Sequence, residues 1–344
     1  MPRLQELLDL PIIQAPMAGV QSSALAIGVS TAGGLGSLPC AMLTPAQIRA
    51  EIAAIQVQTS RPYNLNFFCH TPPVPDLAHE ARWRAALAPY YEEFGIDPAA
   101  IAPAPARSPF SAETADIVEE FRPPVVSFHF GLPEPDLFAR VKWSGAVVLS
   151  SATTVEEALW LEARGADAII AQGLEAGGHR GMFLSSDLTT QTGTFALVPQ
   201  VARAVRVPVI AAGGIADAAG VRAALALGAS AVQVGTAFLL CPETTTSPIH
   251  RAALRSDAAR HTALTRLFSG RPARGIVNRI IRELGPMSDI APAFPLATAA
   301  LAPLRTAAER RGDSSFSALW CGENASGCRE IPAGELTRLL AQGL

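Results

Sequence analysis

Short apolar runs alternate with alanine-rich segments of helical length along most of this chain of 344 residues. Alternation of this kind is typical of βαβ units, in which helices cover a sheet of parallel strands. The strand signals lie at residues 11–18, 34–39, 64–69, 125–131, 147–152, 168–173, 207–213 and 231–235. Eight such units predict an α/β fold of the (β/α)8 TIM barrel class, which needs about 250 residues and tolerates insertions.

A proline-rich region interrupts the alternation between the third and fourth predicted strands. Residues 71–75 and 102–105 contain too many prolines for a continuous helix or strand. Between these two stretches, residues 78–94 have the pattern of a helix. We therefore expect residues of about 70–122 to form an insertion in the barrel.

The region after the eighth predicted strand also departs from the βα pattern. Helical stretches are predicted at residues 248–262 and 275–283, and no strand signal occurs in residues 241–314. We expect this region to form a small, mostly helical cap on the substrate side of the barrel mouth. The barrel domain is accordingly predicted to span residues 1–240, and residues 315–344 are predicted to pack back on it.

Composition and charge narrow the classes of partner. The net charge is −3 and no long run of lysine or arginine occurs, which argues against binding to nucleic acid. Hydrophobic residues make up 49% of the chain, but no uninterrupted apolar stretch approaches the roughly 18 residues of a membrane span. The first residues lack the apolar block of a secretion signal, so a cytoplasmic location is expected. We expect a small-molecule partner, and the sequence leaves the oligomeric state open between a monomer and a homodimer.

The five cysteines are scattered along the chain and odd in number. They are Cys40, Cys69, Cys241, Cys321 and Cys328. No two of them are spaced as C-x-x-C, and no group of cysteine and histidine has the spacing of a zinc site. We therefore expect reduced thiols, with neither a disulfide framework nor a bound metal.

Two glycine motifs follow the last two predicted strands. Gly213 and Gly214 end the seventh strand, and Gly235 with Thr236 ends the eighth. Barrels commonly hold phosphate in the loops after strands 7 and 8, where glycine lets backbone N–H groups approach an anion closely. A tight turn is the alternative explanation for Gly213-Gly214, but the second motif one βα unit later favours a phosphate site. Because neither G-x-G-x-x-G after the first strand nor a P-loop occurs, a mononucleotide is favoured over a dinucleotide.

A histidine next to glycines follows the sixth predicted strand. Gln172 lies in this strand, and His179 follows Gly177 and Gly178 in the next loop. A lone loop histidine is more often structural than catalytic, but catalytic residues of barrels lie where strands end. The ordinary pKa of histidine, near 6.5, suits a base at neutral pH, so His179 is the predicted catalytic base. Gln172 is predicted to face the ligand, with a hydrogen bond at the strand end as the alternative.

Four stretches of the chain carry a family resemblance. They are PIIQAPMAG at 11–19, AGGLG at 32–36, AQGLEAGGH at 171–179, and the pair AGG at 212–214 and GT at 235–236. These stretches resemble the nitronate monooxygenases, formerly called 2-nitropropane dioxygenases, which implies FMN at the barrel mouth and His179 as the family's catalytic histidine. The predicted cofactor-binding residues are Pro16, Met17, Ala18, Asn66, Gln172, Gly177, Gly178, Gly213, Gly214, Gln233, Gly235 and Thr236.

The resemblance also implies a reaction. Members of that family oxidise alkyl nitronates with O2 to a carbonyl compound and nitrite, without a nicotinamide reductant. In members that accept neutral nitroalkanes, the histidine removes the proton. The EAGGH signature, at 175–179 here, also occurs in FMN-dependent enoyl-ACP reductases and NADH:quinone reductases. An NAD(P)H-dependent reductase therefore stays open as the alternative, and a catalytically inactive flavin-binding barrel is a third possibility.

Four further residues bear on the substrate. Residues 318–324 resemble a tryptophan-containing segment of the family, but Glu323 stands where the family pattern has glutamine. A carboxylate that reached the pocket would disfavour an anionic nitronate. Arg271 and Arg274 lie in a familial segment near the cap, although exposed arginines are more often a solvated or ion-paired surface. His129 ends the fourth predicted strand, where either a pocket role or a core role is expected.

Overall fold

A computed structural model describes residues 4–101 and 108–344. In chain order its strands are β1 (Ile12–Gln14), β2 (Gly36–Pro39), β3 (Tyr63–Phe68), β4 (Val125–His129), β5 (Val147–Ala152), β6 (Ala168–Gln172), β7 (Gly178–His179), β8 (Val209–Ala212), β9 (Ala231–Val234), β10 (Thr262–Thr265) and β11 (Ala273–Ile276). Eight of them form a parallel sheet in the order β1-β9-β8-β6-β5-β4-β3-β2, and these are the eight predicted strands. The other three, β10, β11 and β7, form a second sheet.

The two edges of the parallel sheet meet and close it into a barrel. The N–H of Leu35, just before β2, donates to the carbonyl of Ile12 (2.9 Å), and the N–H of Gln14 donates to the carbonyl of Leu35 (2.9 Å). Closure satisfies the backbone groups that an open edge would expose. The predicted (β/α)8 barrel is thereby confirmed.

Apolar side chains fill the space enclosed by the strands. Ile13, Leu149, Ile170 and Ile210 belong to one buried cluster, which Leu4 joins from a short 3-10 helix near the N-terminus. Alternate residues of barrel strands point inward, so branched side chains pack the interior in layers. The barrel is therefore a packed core, and a ligand site is expected only at the ends of its strands.

Twelve α-helices lie in the described residues, and seven of them begin with a side-chain cap. The helices are α1 (Ser23–Thr31), α2 (Pro45–Gln58), α3 (Leu77–Phe94), α4 (Ala112–Phe121), α5 (Pro135–Trp143), α6 (Val155–Ala163), α7 (Thr194–Ala204), α8 (Ala218–Ala226), α9 (Pro248–Arg255), α10 (Arg279–Leu284), α11 (Ala297–Arg310) and α12 (Ala333–Leu340). Thr44 caps α2 in a reciprocal capping box with Gln47, which satisfies N–H groups that a helix start leaves unpaired. Across 4–101 and 108–344, no helix is both long and apolar enough to cross a membrane.

The region after the last barrel strand contains strands that the sequence pattern did not indicate. β10 pairs antiparallel with β11, which also pairs with β7 and places Ala273 opposite His179. The expectation of no strand in residues 241–314 was therefore wrong, and residues 275–276, predicted to begin a helix, belong to β11. Both strands are only four residues long and are held by backbone pairing between distant segments, so they carry no clear apolar alternation.

Two regions distant in the sequence pack together above the barrel. Within the predicted insertion, α3 contacts α11 through the indole N–H of Trp83, which donates to the carbonyl of Ala297 (3.1 Å), and the hydroxyl of Tyr91, which donates to the carbonyl of Ala300 (2.7 Å). In contrast, α4 packs against α2 and α5 of the barrel. The proline-rich stretch 102–105 lies outside the described residues. We refer to α3, α10, α11 and the β10–β11 hairpin together as the cap.

Candidate active site

The carboxyl ends of the barrel strands open into a cavity. Its lining includes His179 and every residue predicted to bind the cofactor: Pro16, Met17, Ala18, Asn66, Gln172, Gly177, Gly178, Gly213, Gly214, Gln233, Gly235 and Thr236. All strands of a parallel barrel present their carboxyl ends at one face, so residues more than 200 positions apart meet there. The structure thus brings the whole predicted set together.

One corner of the cavity is built from glycine backbone in conformations that other residues rarely adopt. Gly213 and Gly214 have φ angles of +116° and +72°. A Cβ atom on Gly213 would lie 2.8 Å from Oγ1 of Thr194. That hydroxyl lies within hydrogen-bond distance of the Gly213 carbonyl (3.0 Å) and of the Glu175 carboxylate (2.8 Å), and Glu175 also accepts from the Thr194 N–H. The corner is therefore rigid and closely approachable, as an anion-binding backbone requires.

The C-terminal segment reaches this glycine corner. The N–H of Gly322 donates to the hydroxyl oxygen of Thr236 (3.0 Å), and the side-chain amide of Asn324 donates to the carbonyl of Gly214 (3.0 Å). The N–H of Glu323 donates to the carbonyl of Glu175 (2.9 Å). Residues near 320 therefore complete the cavity wall, and they lie in the tryptophan-containing segment whose family likeness the sequence showed.

Hydrogen bonds from two barrel strands hold the backbone of His179. Its carbonyl accepts from the side-chain amide of Gln172 (3.0 Å) and lies 3.2 Å from Nε2 of His129. The amide oxygen of Gln172 accepts from the N–H of Gly181 (2.7 Å). Gln172 lines the cavity, but both the nitrogen and the oxygen of its amide form hydrogen bonds with this loop. It therefore supports the position of the histidine directly.

Aromatic rings and a hydroxyl surround the imidazole of His179. The distance from the centroid of the imidazole to that of the neighbouring ring is 5.4 Å for Phe294, 5.5 Å for Trp320, 6.1 Å for Phe130 and 6.4 Å for Phe68. Nε2 of the imidazole lies 2.8 Å from Oγ of Ser269, in the cap. His179 therefore links the barrel and the cap, because its backbone follows a barrel strand while its side chain contacts the cap.

Two other histidines line the cavity, and both are held neutral. Burial lowers the pKa of His129 to about 3 and that of His250 to about 4. Since the carbonyl of His179 can only accept, Nε2 of His129 is the donor, and Nδ1 accepts from the hydroxyl of Ser151 (3.0 Å). Nε2 of His250 likewise lies 3.1 Å from the carbonyl of Trp320. Of the two roles open for His129, the structure combines both, since it lines the cavity and supports the His179 loop.

The lowered pKa values of His129 and His250 predict a loss of stability in acid. The unfolded chain binds these protons near pH 6.5, whereas the folded chain resists them down to about pH 3 and pH 4. Stability is therefore full above pH 6.5 and falls as the pH drops below it. Between pH 7 and pH 5, each histidine is expected to lower the free energy of unfolding by about 1–2 kcal/mol. Urea unfolding at both pH values tests this: His250→Asn should show a smaller difference between them than the unsubstituted protein, and an equal difference would contradict the prediction.

Two side-chain amides near the strand ends differ in how their polar atoms are satisfied. The amide nitrogen of Asn66 donates to the hydroxyl oxygen of Ser127 (2.9 Å). Oε1 of Gln233 is buried and has no hydrogen-bond partner within the described part of the chain. A buried acceptor left without a donor is costly, so Gln233, which faces the cavity, is suited to a ligand that brings an N–H or O–H group.

The two cap arginines are not an exposed surface, contrary to the expectation from the sequence. Arg274 is 6% exposed, donates from Nε to the carbonyl of Leu174 (3.0 Å) and forms an ion pair with Glu323 (2.9 Å). The guanidinium of Arg271 lies 3.8 Å from the ring centroid of Phe130. Antiparallel pairing of β11 with β7 places Arg274 opposite Gly178, and Arg271 lies just before β11, which no local pattern could indicate. Because Glu323 is paired with Arg274, its charge is balanced outside the cavity lining.

Several residues close to His179 or in the cavity wall were missed from the sequence, among them Ser269, Trp320 and His250. Ser269 and Trp320 lie in segments recognised as familial, so their neighbourhood carried a signal although their roles did not. His250, on α9, carried none, because a single histidine in an amphipathic helix has no distinguishing spacing.

A barrel with a histidine among strand-end glycines defines the chain as an enzyme of the TIM barrel class. Comparison with known proteins identifies its family. The family model of nitronate monooxygenase matches residues 2–343. A nitronate monooxygenase of Paraburkholderia phytofirmans is 44% identical over 344 residues, covering 98% of this chain and 93% of that protein. One of Pseudomonas aeruginosa is 45% identical over 343 residues, covering 98% and 97%.

Solved structures agree with these sequence matches. A nitroalkane oxidase from Streptomyces ansochromogenes superposes with a TM-score of 0.90 at 41% identity, covering 98% of this chain and 96% of that one. FabK from Thermotoga maritima superposes with a TM-score of 0.73 at 28% identity, covering 99% and 95%. The chain belongs to the nitronate monooxygenase family and is an oxidoreductase.

Proposed function

We propose that this protein binds FMN and uses O2 to oxidise alkyl nitronates to a carbonyl compound and nitrite. The observation that carries the proposal is the convergence of His179 with both glycine motifs, Gly213-Gly214 and Gly235-Thr236, on one cavity. Membership of the nitronate monooxygenase family supports nitronate as the substrate class.

The residues of the cavity fit a flavin mononucleotide. The glycine corner suits a phosphate, because Gly213 and Gly214 have no side chains to keep an anion away from the backbone N–H groups. A Cβ atom on Gly213 would also crowd Thr194. The buried Oε1 of Gln233 would accept a hydrogen bond from the cofactor. Asn66 and the segment 16–18 would contact the ring system from the ends of β3 and β1. Bound there, FMN would take electrons from the nitronate and pass them to O2.

The protein's own contribution centres on the proton. In a neutral nitroalkane, His179 would remove a proton from the carbon that bears the nitro group. A preformed nitronate has no such proton to lose, and for it the imidazole would act mainly as an electrostatic partner of the anion. The aromatic rings of Phe68, Phe294 and Trp320 would exclude water from the substrate side.

An FMN-dependent reductase is the second candidate, and the superposition with FabK is the observation that favours it. Such an enzyme would take hydride from NAD(P)H bound over the flavin. The relatives named for nitronate or nitroalkane oxidation are more similar, at 41–45% identity against 28%. Nitronate oxidation is therefore the function we propose.

Anaerobic mixing of the purified yellow protein with ethyl nitronate and, separately, with NADH tests the proposal. We expect nitronate to bleach the flavin absorbance within seconds and NADH to leave it unchanged over the same period. In air, ethyl nitronate should release nitrite without any nicotinamide. Bleaching by NADH alone, with no nitrite released, would establish the reductase instead.

A further inference from the structure

The hydroxyl of Ser269 contacts the imidazole of His179 across 90 positions of sequence. Its Oγ lies 2.8 Å from Nε2, and the serine is only 2% exposed. Ser269 lies between β10 and β11, and β11 pairs with Gly178 and His179 of β7. The same hairpin therefore holds the backbone of the histidine and presents a hydroxyl to its side chain.

Two placements of hydrogen on this pair have opposite consequences for a base. If the hydroxyl of Ser269 donates to Nε2, the neutral ring carries its hydrogen on Nδ1, and its lone pair is used by the serine. If Nε2–H donates to Oγ, the lone pair stays on Nδ1, and the bond persists when the ring becomes an imidazolium. In the second arrangement, the serine hydroxyl can donate its own hydrogen to the carbonyl of Arg271, which lies 3.4 Å from Oγ.

We propose that Ser269 is a positioning residue that accepts a hydrogen bond from Nε2 of His179 and keeps the imidazole in the tautomer that can take a proton from a neutral nitroalkane. This role rests on the proposed function. A hydrogen bond from imidazolium is charge-assisted and stronger than one from the neutral ring, so Ser269 stabilises the product of proton removal. The rings of Phe294 and Trp320 restrict the tilt of the imidazole but do not select its tautomer.

The variants Ser269→Ala and Ser269→Cys, each compared on two substrates, test the role. Ser269→Ala should lower kcat/KM for nitroethane by about 10- to 100-fold, which is part of what a general base contributes. It should change kcat/KM for preformed ethyl nitronate by less than about threefold, because that substrate needs no proton removed. Cysteine keeps the volume but is a weak hydrogen-bond partner, so Ser269→Cys should resemble the alanine variant. A serine that only fills space would leave Ser269→Cys like the unsubstituted protein, and that result would overturn the proposal.

Two readouts separate positioning from packing. Loss of the acceptor disfavours the imidazolium form and lowers the pKa of the base. The rise of kcat/KM for nitroethane with increasing pH should therefore move to lower pH in Ser269→Ala. Nitrogen NMR of the FMN-loaded, histidine-labelled protein should show the hydrogen of His179 on Nε2, with the signal assigned from His179→Asn. A hydrogen on Nδ1, or an unchanged ratio of the two substrates in Ser269→Ala, would overturn the proposal. If the unsubstituted protein oxidises neither substrate, the proposed function fails, and the tautomer still decides the role of Ser269.

Discussion

Replacing His179 with asparagine is expected to lower kcat/KM for neutral nitroalkanes by about 10²- to 10⁴-fold, the range that a positioned general base contributes. Asparagine retains a side-chain hydrogen-bonding group near Ser269 but cannot take up a proton at neutral pH. The cavity should therefore keep its shape and its cofactor. Nitrite release from 2-nitropropane measures the rate, and the flavin absorbance per protein measures the cofactor.

The matched control is His261→Asn, which makes the same change at an exposed histidine outside the cavity lining. This variant should retain both activity and FMN. A second comparison uses preformed ethyl nitronate, on which His179→Asn should lose less than on the neutral compound. Undiminished turnover of 2-nitropropane by His179→Asn would exclude His179 as the base.

The second large effect is expected at the glycine corner. Gly213→Ala places a Cβ atom 2.8 Å from Oγ1 of Thr194 and forces alanine to a φ of +116°. Backbone strain of this kind costs about 1–3 kcal/mol, and the overlap requires Thr194 or the loop to move as well. Because the same backbone is proposed to hold the phosphate, the Kd for FMN should rise about tenfold or more. Fluorescence titration of the apoprotein with FMN measures the change.

Gly220→Ala is the matched control for this substitution. Gly220 lies within α8, and a Cβ atom there would make ordinary contacts at 3.5 Å or beyond. Alanine favours a helix interior over glycine by roughly 1 kcal/mol, so this variant should be as stable as the unsubstituted protein or more so. Its affinity for FMN should be unchanged. An unaltered affinity in Gly213→Ala as well would show that the phosphate is bound elsewhere.

The barrel was predictable because each of its units carries its own local signal. The run Ala168–Gln172 is mostly apolar and buried throughout, and the capped helix α6 precedes it in the regular order. Repetition of that unit leaves few alternative folds, since parallel strands must be joined by crossover connections, which are usually helices that cover the sheet. β10 and β11 were not predictable, because pairing of Ala273 with His179 joins segments more than 90 residues apart and leaves no periodic pattern.

The candidate site likewise contains some residues that could be predicted from the sequence and others that could not. Gly213, Gly235 and His179 follow predicted strands, and barrel closure is enough to bring strand ends together. Ser269 and Asn324 come from connecting segments with no periodicity, and their positions depend on how the cap and the C-terminal segment pack on the barrel.

The amino-acid sequence alone determined the number of βα units, the face of the barrel that holds the site, and the glycine and histidine residues that line it. These follow from the spacing of apolar runs and from the residues at their ends, which are local properties. Only the tertiary structure decided that Arg274 is buried against Glu323, that His129 is held neutral, and that the cap supplies the hydroxyl beside His179. Burial and hydrogen bonding between distant segments depend on three-dimensional proximity, and a linear pattern carries no record of it.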